Sequence, residues 1–142
     1  MTVAALDAAG VKRAVAARRG KVVVLNFWAT WCQPCVAEFP DLVRMYNRHK
    51  GRGLDLVTVS FDEPEDLRSK VVPFLQRHRL VTGTYIQKGG PQQFVERFDP
   101  RWEGAVPRTY VYARSGKVAV VLEGEQSAAD LEKAVAPLLA KR

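Results

Sequence analysis

The sequence predicts an α/β protein built on a central mixed sheet with helices on both faces. Three observations carry this. The run Val22-Val23-Val24-Leu25-Asn26-Phe27-Trp28 is apolar toward both faces, with Asn26 its one polar member, the pattern of a strand buried between two layers. Strand and helix signals then alternate twice, and two βα units imply parallel strands joined by right-handed crossovers. The last third instead holds two β-type runs around Arg114-Ser115-Gly116-Lys117, a hairpin turn that adds antiparallel strands to the sheet. A length of 142 residues at 47% hydrophobic content suits a single domain over residues 1–142 and excludes a disordered chain.

Each element has a local reason. Asp7 is an N-cap for a first helix, with Leu6 and Val11 placed as a hydrophobic staple, and Gly20 is its expected stop. After the strand Val22–Trp28, residues 34–50 read as a helix that Pro40 should kink and that Gly51 and Gly53 end. Residues 54–61 form the second core strand. An acidic start with Pro64 opens another helix, in which Pro73 forces a break. A short strand over 84–86, a turn at Lys88-Gly89-Gly90 and a helix Pro91–Phe98 follow. The hairpin strands are 109–113 and Val118–Glu123, and Ser127 with Asp130 caps a last helix whose apolar face is Leu131, Val135 and Leu138. Pro137 conflicts locally with that helix.

Formal net charge is +7, spread over small groups at Lys12-Arg13, Arg18-Arg19-Lys21, 44–52 and 77–79. Without a Gly-rich phosphate loop or nucleic-acid motif, these read as solvated helix faces, and no nucleic-acid partner is expected. Attraction to an anionic surface or an acidic partner protein stays open. No membrane-spanning segment or signal peptide is legible, so the chain reads as soluble as it stands, although a longer precursor fits equally well.

Chemistry concentrates at Trp31-Cys32-Gln33-Pro34-Cys35. These are the only two cysteines, too few for a disulfide scaffold and better suited to a chemical role. They follow a strand and open a helix, so Cys32 falls at the helix N-terminus, where unpaired N–H groups and the macrodipole favour a thiolate. Cys35, three residues on, can close a disulfide with it. A CxxC in this setting reads as a redox couple: Cys32 attacks a disulfide and Cys35 resolves the mixed disulfide. Zinc needs about four ligands, and His49 and His78 are not spaced to complete a set, so neither metal nor cofactor is expected. Pro34 stiffens the first helical turn. Gln33 adds no charge and leaves the direction of electron flow open. Glu38 lies three residues past Cys35 on the same helix face; it either relays the buried thiol's proton or complements the helix N-terminus.

Asn26-Phe27-Trp28-Ala29-Thr30-Trp31-Cys32-Gln33-Pro34-Cys35, Glu38-Phe39-Pro40 and Val106-Pro107 before a strand together resemble the thioredoxin fold, and more narrowly the TlpA/ResA-like thiol–disulfide oxidoreductases. The likeness covers 20–139, with 54–80 similar to that subfamily's central strand–helix insertion. It implies an enzyme that exchanges electrons with protein or peptide disulfides and dithiols, favours reduction of its substrates, is recharged by an upstream redox partner, acts as a monomer, and works outside the cytoplasm. Cytoplasmic action stays open because no signal peptide is seen, and no membrane anchor is visible. A thioredoxin-fold binding or chaperone-like module without turnover is the alternative, followed by a thiol peroxidase. The resemblance also implies a cis bond at Val106–Pro107, a backbone at Val106 that pairs with an extended substrate, Trp31 near the active-site surface and Trp28 packed beneath it. Two positions depart from the fold's pattern. Asn26 stands where plain thioredoxins carry a buried Asp, so proton handling must differ. Arg108 stands where Thr is usual, as a cation that either favours the thiolate or points to solvent.

Overall fold

The computed structural model describes residues 1–140. Strand β1 (Ala4–Leu6) leads into α1 (Ala8–Ala16), then β2 (Val22–Trp28), α2 (Gln33–His49) and β3 (Leu54–Ser60). A broken helical segment ends in α3 (Val72–Arg77), followed by β4 (Thr84–Gln87), α4 (Pro91–Phe98), the hairpin β5 (Arg108–Tyr112) and β6 (Val118–Glu123), and α5 (Ala128–Leu139). The strands form one six-stranded sheet in the order β1-β4-β3-β2-β5-β6. Pairing is parallel from β1 to β2 and antiparallel across β2–β5 and β5–β6. This is the mixed, parallel-cored sheet that the alternation of elements predicts and that the resemblance to the thioredoxin fold implies.

Every residue of β2 is buried, and its two faces differ in character. Phe27 sits within reach of Phe61, Phe94, Phe98, Trp102 and Tyr110, at centroid separations of 4.7–5.9 Å, on the side of α4. Trp28 turns the other way, onto Phe39 of α2 and Phe74 of α3, both at 4.9 Å. Rings at these separations and tilts add specific contacts to a large area of apolar burial. The segment 54–80 supplies β3, which is hydrogen-bonded to β2 in register from Val22↔Leu54 to Trp28↔Ser60. Gly83 lets β4 come alongside: its φ is +67°, its carbonyl accepts from Thr58 N at 2.7 Å, and a Cβ there would meet the Leu56 oxygen at 2.2 Å.

Asp7 caps α1 by accepting from Gly10 N at 2.8 Å, and Ser127 and Asp130 form a reciprocal capping box on α5. Gly53 closes the end of α2 at φ +93° after a 3₁₀ turn. The structure adds one element and adjusts several of the expected bounds. The strand β1 is not legible in the sequence. α1 stops at Ala16, and Gly20 (φ +101°) instead shapes the turn into β2, where its N–H reaches Arg114 O. The helix after β3 breaks as Pro73 implies, into a 3₁₀ turn Pro64–Asp66, a π turn Leu67–Val71 and α3. Pro73 has no N–H to give to residue 69, and the chain widens just before it, with Val72 N donating to Leu67 O. β5 begins one residue earlier than read and ends at Tyr112. On α5, Leu139 joins Leu131 and Val135 in the buried core, and Leu138 packs against it half-buried. Pro137 lies in the last turn of α5 and leaves the carbonyl of Lys133 without its i+4 donor, a loss close to the helix end that the helix tolerates.

Candidate active site around the Cys32–Cys35 pair

Cys32 is the N-cap of α2, with extended backbone (φ −99°, ψ 106°), and its Sγ accepts from Cys35 N at 3.3 Å. Pro34 lies in the first turn, where its missing N–H costs no helix bond. A disulfide joins the two cysteines at a Cα separation of 5.3 Å. Cys35 is fully buried, whereas Cys32 keeps 6% of its surface open, which makes Cys32 the sulfur that a partner reaches first. Gln33 and Pro34 are exposed beside it.

Antiparallel pairing of Phe27 with Arg108 brings the residues just before β5 next to the chain leaving β2. There the Val106–Pro107 bond is cis, and the Val106 carbonyl oxygen lies 3.6 Å from Cys32 Sγ. Trp31 is 66% exposed on the same surface, while Trp28 is buried beneath. The loop between β2 and α2 is tied down by a residue that sequence reasoning missed. Asp62, wholly buried, accepts from Thr30 N at 3.0 Å, from the Thr30 hydroxyl and from Ser60 Oγ at 2.6 Å. The Ser60-x-Asp62 turn, with Asp62 N donating back to Ser60 Oγ, was its only local signal.

Behind the cysteines, one turn along α2, Glu38 is buried at 2% exposure. One of its oxygens accepts from Asn26 Nδ2 at 3.3 Å and the other from Gln126 N at 3.1 Å. Asn26 Nδ2 also donates to Thr109 Oγ1 at 3.0 Å. Burial pushes the Glu38 carboxyl up to about 7; the two hydrogen bonds offset this in part, and the charge of Glu125 adds to it. Asn26 and Glu38, singled out in the sequence for separate reasons, meet here, and Thr109 and Gln126 join them.

Arg108 does neither of the two things its position suggested. Strand alternation turns it to the face opposite Thr109. Its guanidinium pairs with Glu123 at 2.8 Å and Asp99 at 3.3 Å, donates to the Tyr110 hydroxyl at 2.6 Å, and lies over the Trp102 ring. It is 6% exposed and engaged away from the dithiol, neither a cation aimed at the thiolate nor a solvated one. The histidines are engaged too: His49 with Glu132 at 2.8 Å, and His78 against the Phe39 and Phe74 rings. Among the described residues no group of three or more His, Cys, Asp or Glu side chains is arranged to hold a metal ion.

Comparison with known proteins agrees with this geometry. The model of the AhpC/TSA family matches residues 2–121. The thiol-disulfide oxidoreductase ResA of Bacillus thuringiensis (strain Al Hakam) is 31% identical over 126 residues, which are 89% of this chain and 68% of that protein. ResA of Geobacillus kaustophilus is 29% identical over 127 residues, with the same coverage. Among solved structures, a thiol:disulfide interchange protein of the thioredoxin family from Chlorobium tepidum superposes with a TM-score of 0.73 at 26% identity, covering 88% of this chain and 84% of the other. A DsbF homologue from Corynebacterium diphtheriae gives 0.73 at 25% identity, covering 87% and 76%. With its dithiol at the head of α2, a cis-proline loop against Cys32 and these relatives, the chain belongs to the AhpC/TSA family of thioredoxin-fold proteins, in the company of the ResA-type thiol–disulfide oxidoreductases.

Proposed function

We propose that this protein is a thiol–disulfide oxidoreductase that reduces disulfides in protein or peptide substrates. The observation that carries the reading is the placement of Cys32: a capping sulfur at a helix N-terminus, slightly open to solvent, against the Val106 carbonyl. In the reduced protein the Cys32 thiolate attacks one sulfur of a substrate disulfide. A mixed disulfide forms, and the other substrate sulfur leaves as a thiolate that takes up a proton. Cys35 then loses its proton, attacks Cys32 Sγ and expels the second substrate thiolate. The substrate gains two electrons and the protein is left with the Cys32–Cys35 disulfide seen here. An upstream dithiol partner restores the reduced form.

The remaining site residues support these steps. The Val106 backbone beside Pro107 pairs with the extended substrate segment, Trp31 lies against it, and Gln33 and Pro34 shape the turn between the sulfurs. Glu38 accepts the Cys35 proton, a role that suits a carboxyl poised near neutrality. Asn26 orients that carboxyl through its amide. Arg108 acts only by holding the frame of β5. We place the protein as a monomer outside the cytoplasm, where disulfide substrates persist; no helix among the described residues is long and apolar enough to cross a membrane.

Stopped-flow reduction of a disulfide-bonded model protein tests the assignment. Cys32→Ser abolishes turnover, and Cys35→Ser traps a stable mixed disulfide because nothing remains to resolve it. Turnover that persists in Cys32→Ser overturns the proposal.

A further inference from the structure

A groove of about 470 Å³ opens directly beside the dithiol loop, between α2 and the broken helix. Trp31 and Val36 form one wall, Phe74 lines the other, and Lys70 and Arg77 stand on its rim. Both charged side chains that line it are cations; no carboxylate does. The Arg77 guanidinium lies 5.7 Å over the Phe74 ring, so its charge hangs above the apolar lining. Lys70 makes a long ion pair with Asp66, at 3.8 Å, and its side chain is 60% exposed, so a ligand's carboxylate can compete for it. The π turn Leu67–Val71 contains Lys70 and Pro73 follows it, so the irregular stretch of this helix is the part that borders the groove. Widened turns of this kind concentrate at functional positions.

Resting on the oxidoreductase reading above, we propose that this groove selects its substrates: Lys70 and Arg77 recognise acidic residues flanking the target cysteine, while Trp31 and Phe74 take an adjoining apolar side chain. The occupant is thus an acidic, extended segment of a disulfide-bonded protein. Charge complementarity identifies it. The opposite flank of the dithiol, along Val106, is not basic in the same way: Glu103 and Glu123 line it beside Arg101 and an Arg108 that is already paired, so its carboxylates match its cations in number. The preference therefore belongs to one side of the site and is more than the field of a chain with net charge +7.

The test uses three disulfide peptides of equal length whose cysteine is flanked by Asp and Glu, by Ser and Gln, or by Lys. Each is reduced by the full chain, and kcat/KM is compared within each variant. The wild type should prefer the acidic over the basic peptide by about tenfold at low salt and less than about threefold at 0.5 M, as expected for two exposed charge contacts. Lys70→Glu with Arg77→Glu should bring the ratio to unity or below. Arg13→Glu with Lys21→Glu changes net charge equally on the far side of the molecule and should leave most of the preference in place. Thermal melts check that each variant folds. Equal rates for acidic and basic peptides in the wild type, or a preference that falls equally with both reversals, overturn the proposal. If the neutral peptide is reduced in a Cys32-dependent way, the oxidoreductase reading survives that loss; if no peptide or protein disulfide is reduced, both fail.

Discussion

Two polar networks, one partly exposed and one buried, hang from neighbouring residues of β5 on opposite faces of the sheet, and they treat their acid in opposite ways. On one face Arg108 and Tyr110 hold Asp99. Burial alone would raise the Asp99 pKa, but the Arg101 N–H, the Tyr110 hydroxyl and the Arg108 guanidinium outweigh it and hold the carboxyl below its ordinary value. On the other face Thr109 meets Asn26, which meets Glu38. There the donors are neutral, burial prevails, and the carboxyl rises to about 7. A half-buried acid with a cation is a fixed charge. A buried acid with only amide donors is a proton store near neutral pH, and it lies on the helix of the two cysteines.

The comparison is easiest to break from the Arg108 side. Arg108→Met leaves Asp99 without its cation and should cost about 2–3 kcal/mol in denaturant unfolding, somewhat below the value for removing one partner of a fully enclosed pair because Asp99 is partly exposed. The dithiol's reduction potential should not move; a shift comparable to that of a site mutation would show that the two networks are not separate. Glu38→Gln should act more narrowly. Glu38 is raised from 4.5 to about 7 in the fold, so over that window the unfolded chain releases a proton the folded chain keeps. Its contribution to stability is therefore greatest below pH 4.5 and falls as pH rises toward 7, by at most about 1.4 kcal/mol per unit. Glu38→Gln should remove that slope and the inflection near pH 7 in the reduction rate. A wild-type stability without such a slope would return Glu38 to a packing role. Thr109→Val should have the smallest effect. It removes one acceptor from Asn26 and costs about 1 kcal/mol, with the Glu38 slope retained.

What was legible followed from short-range chemistry. The apolar run of β2, the cysteines at the head of α2 and Glu38 one turn later are all matters of spacing within one element, where periods of 2 and 3.6 carry the information. The Asp7 and Ser127 caps are equally local. Asp62, Thr109 and Gln126 escaped because their partners lie 32, 83 and 88 residues away, and nothing local marks which strand will become a neighbour. β1 escaped for a related reason: three residues are too few to show a period, and pairing with β4 is what makes them a strand. Arg108 follows Pro107 directly, yet alternation along β5 sends it to the face opposite Thr109, a turn that its position in the motif does not disclose.

The tie between Asp62 and Thr30 has a bearing on turnover itself. Thr30 lies two residues before Cys32, and Asp62 follows the end of β3, which runs beside β2 through seven paired positions. The nucleophile is thus braced from the adjoining strand as well as from its own helix. Electron transfer here makes or breaks a single sulfur–sulfur bond, and a brace that contains neither sulfur has no reason to be rebuilt when that happens. The loop that carries the nucleophile is therefore anchored by hydrogen bonds that the exchange does not itself consume.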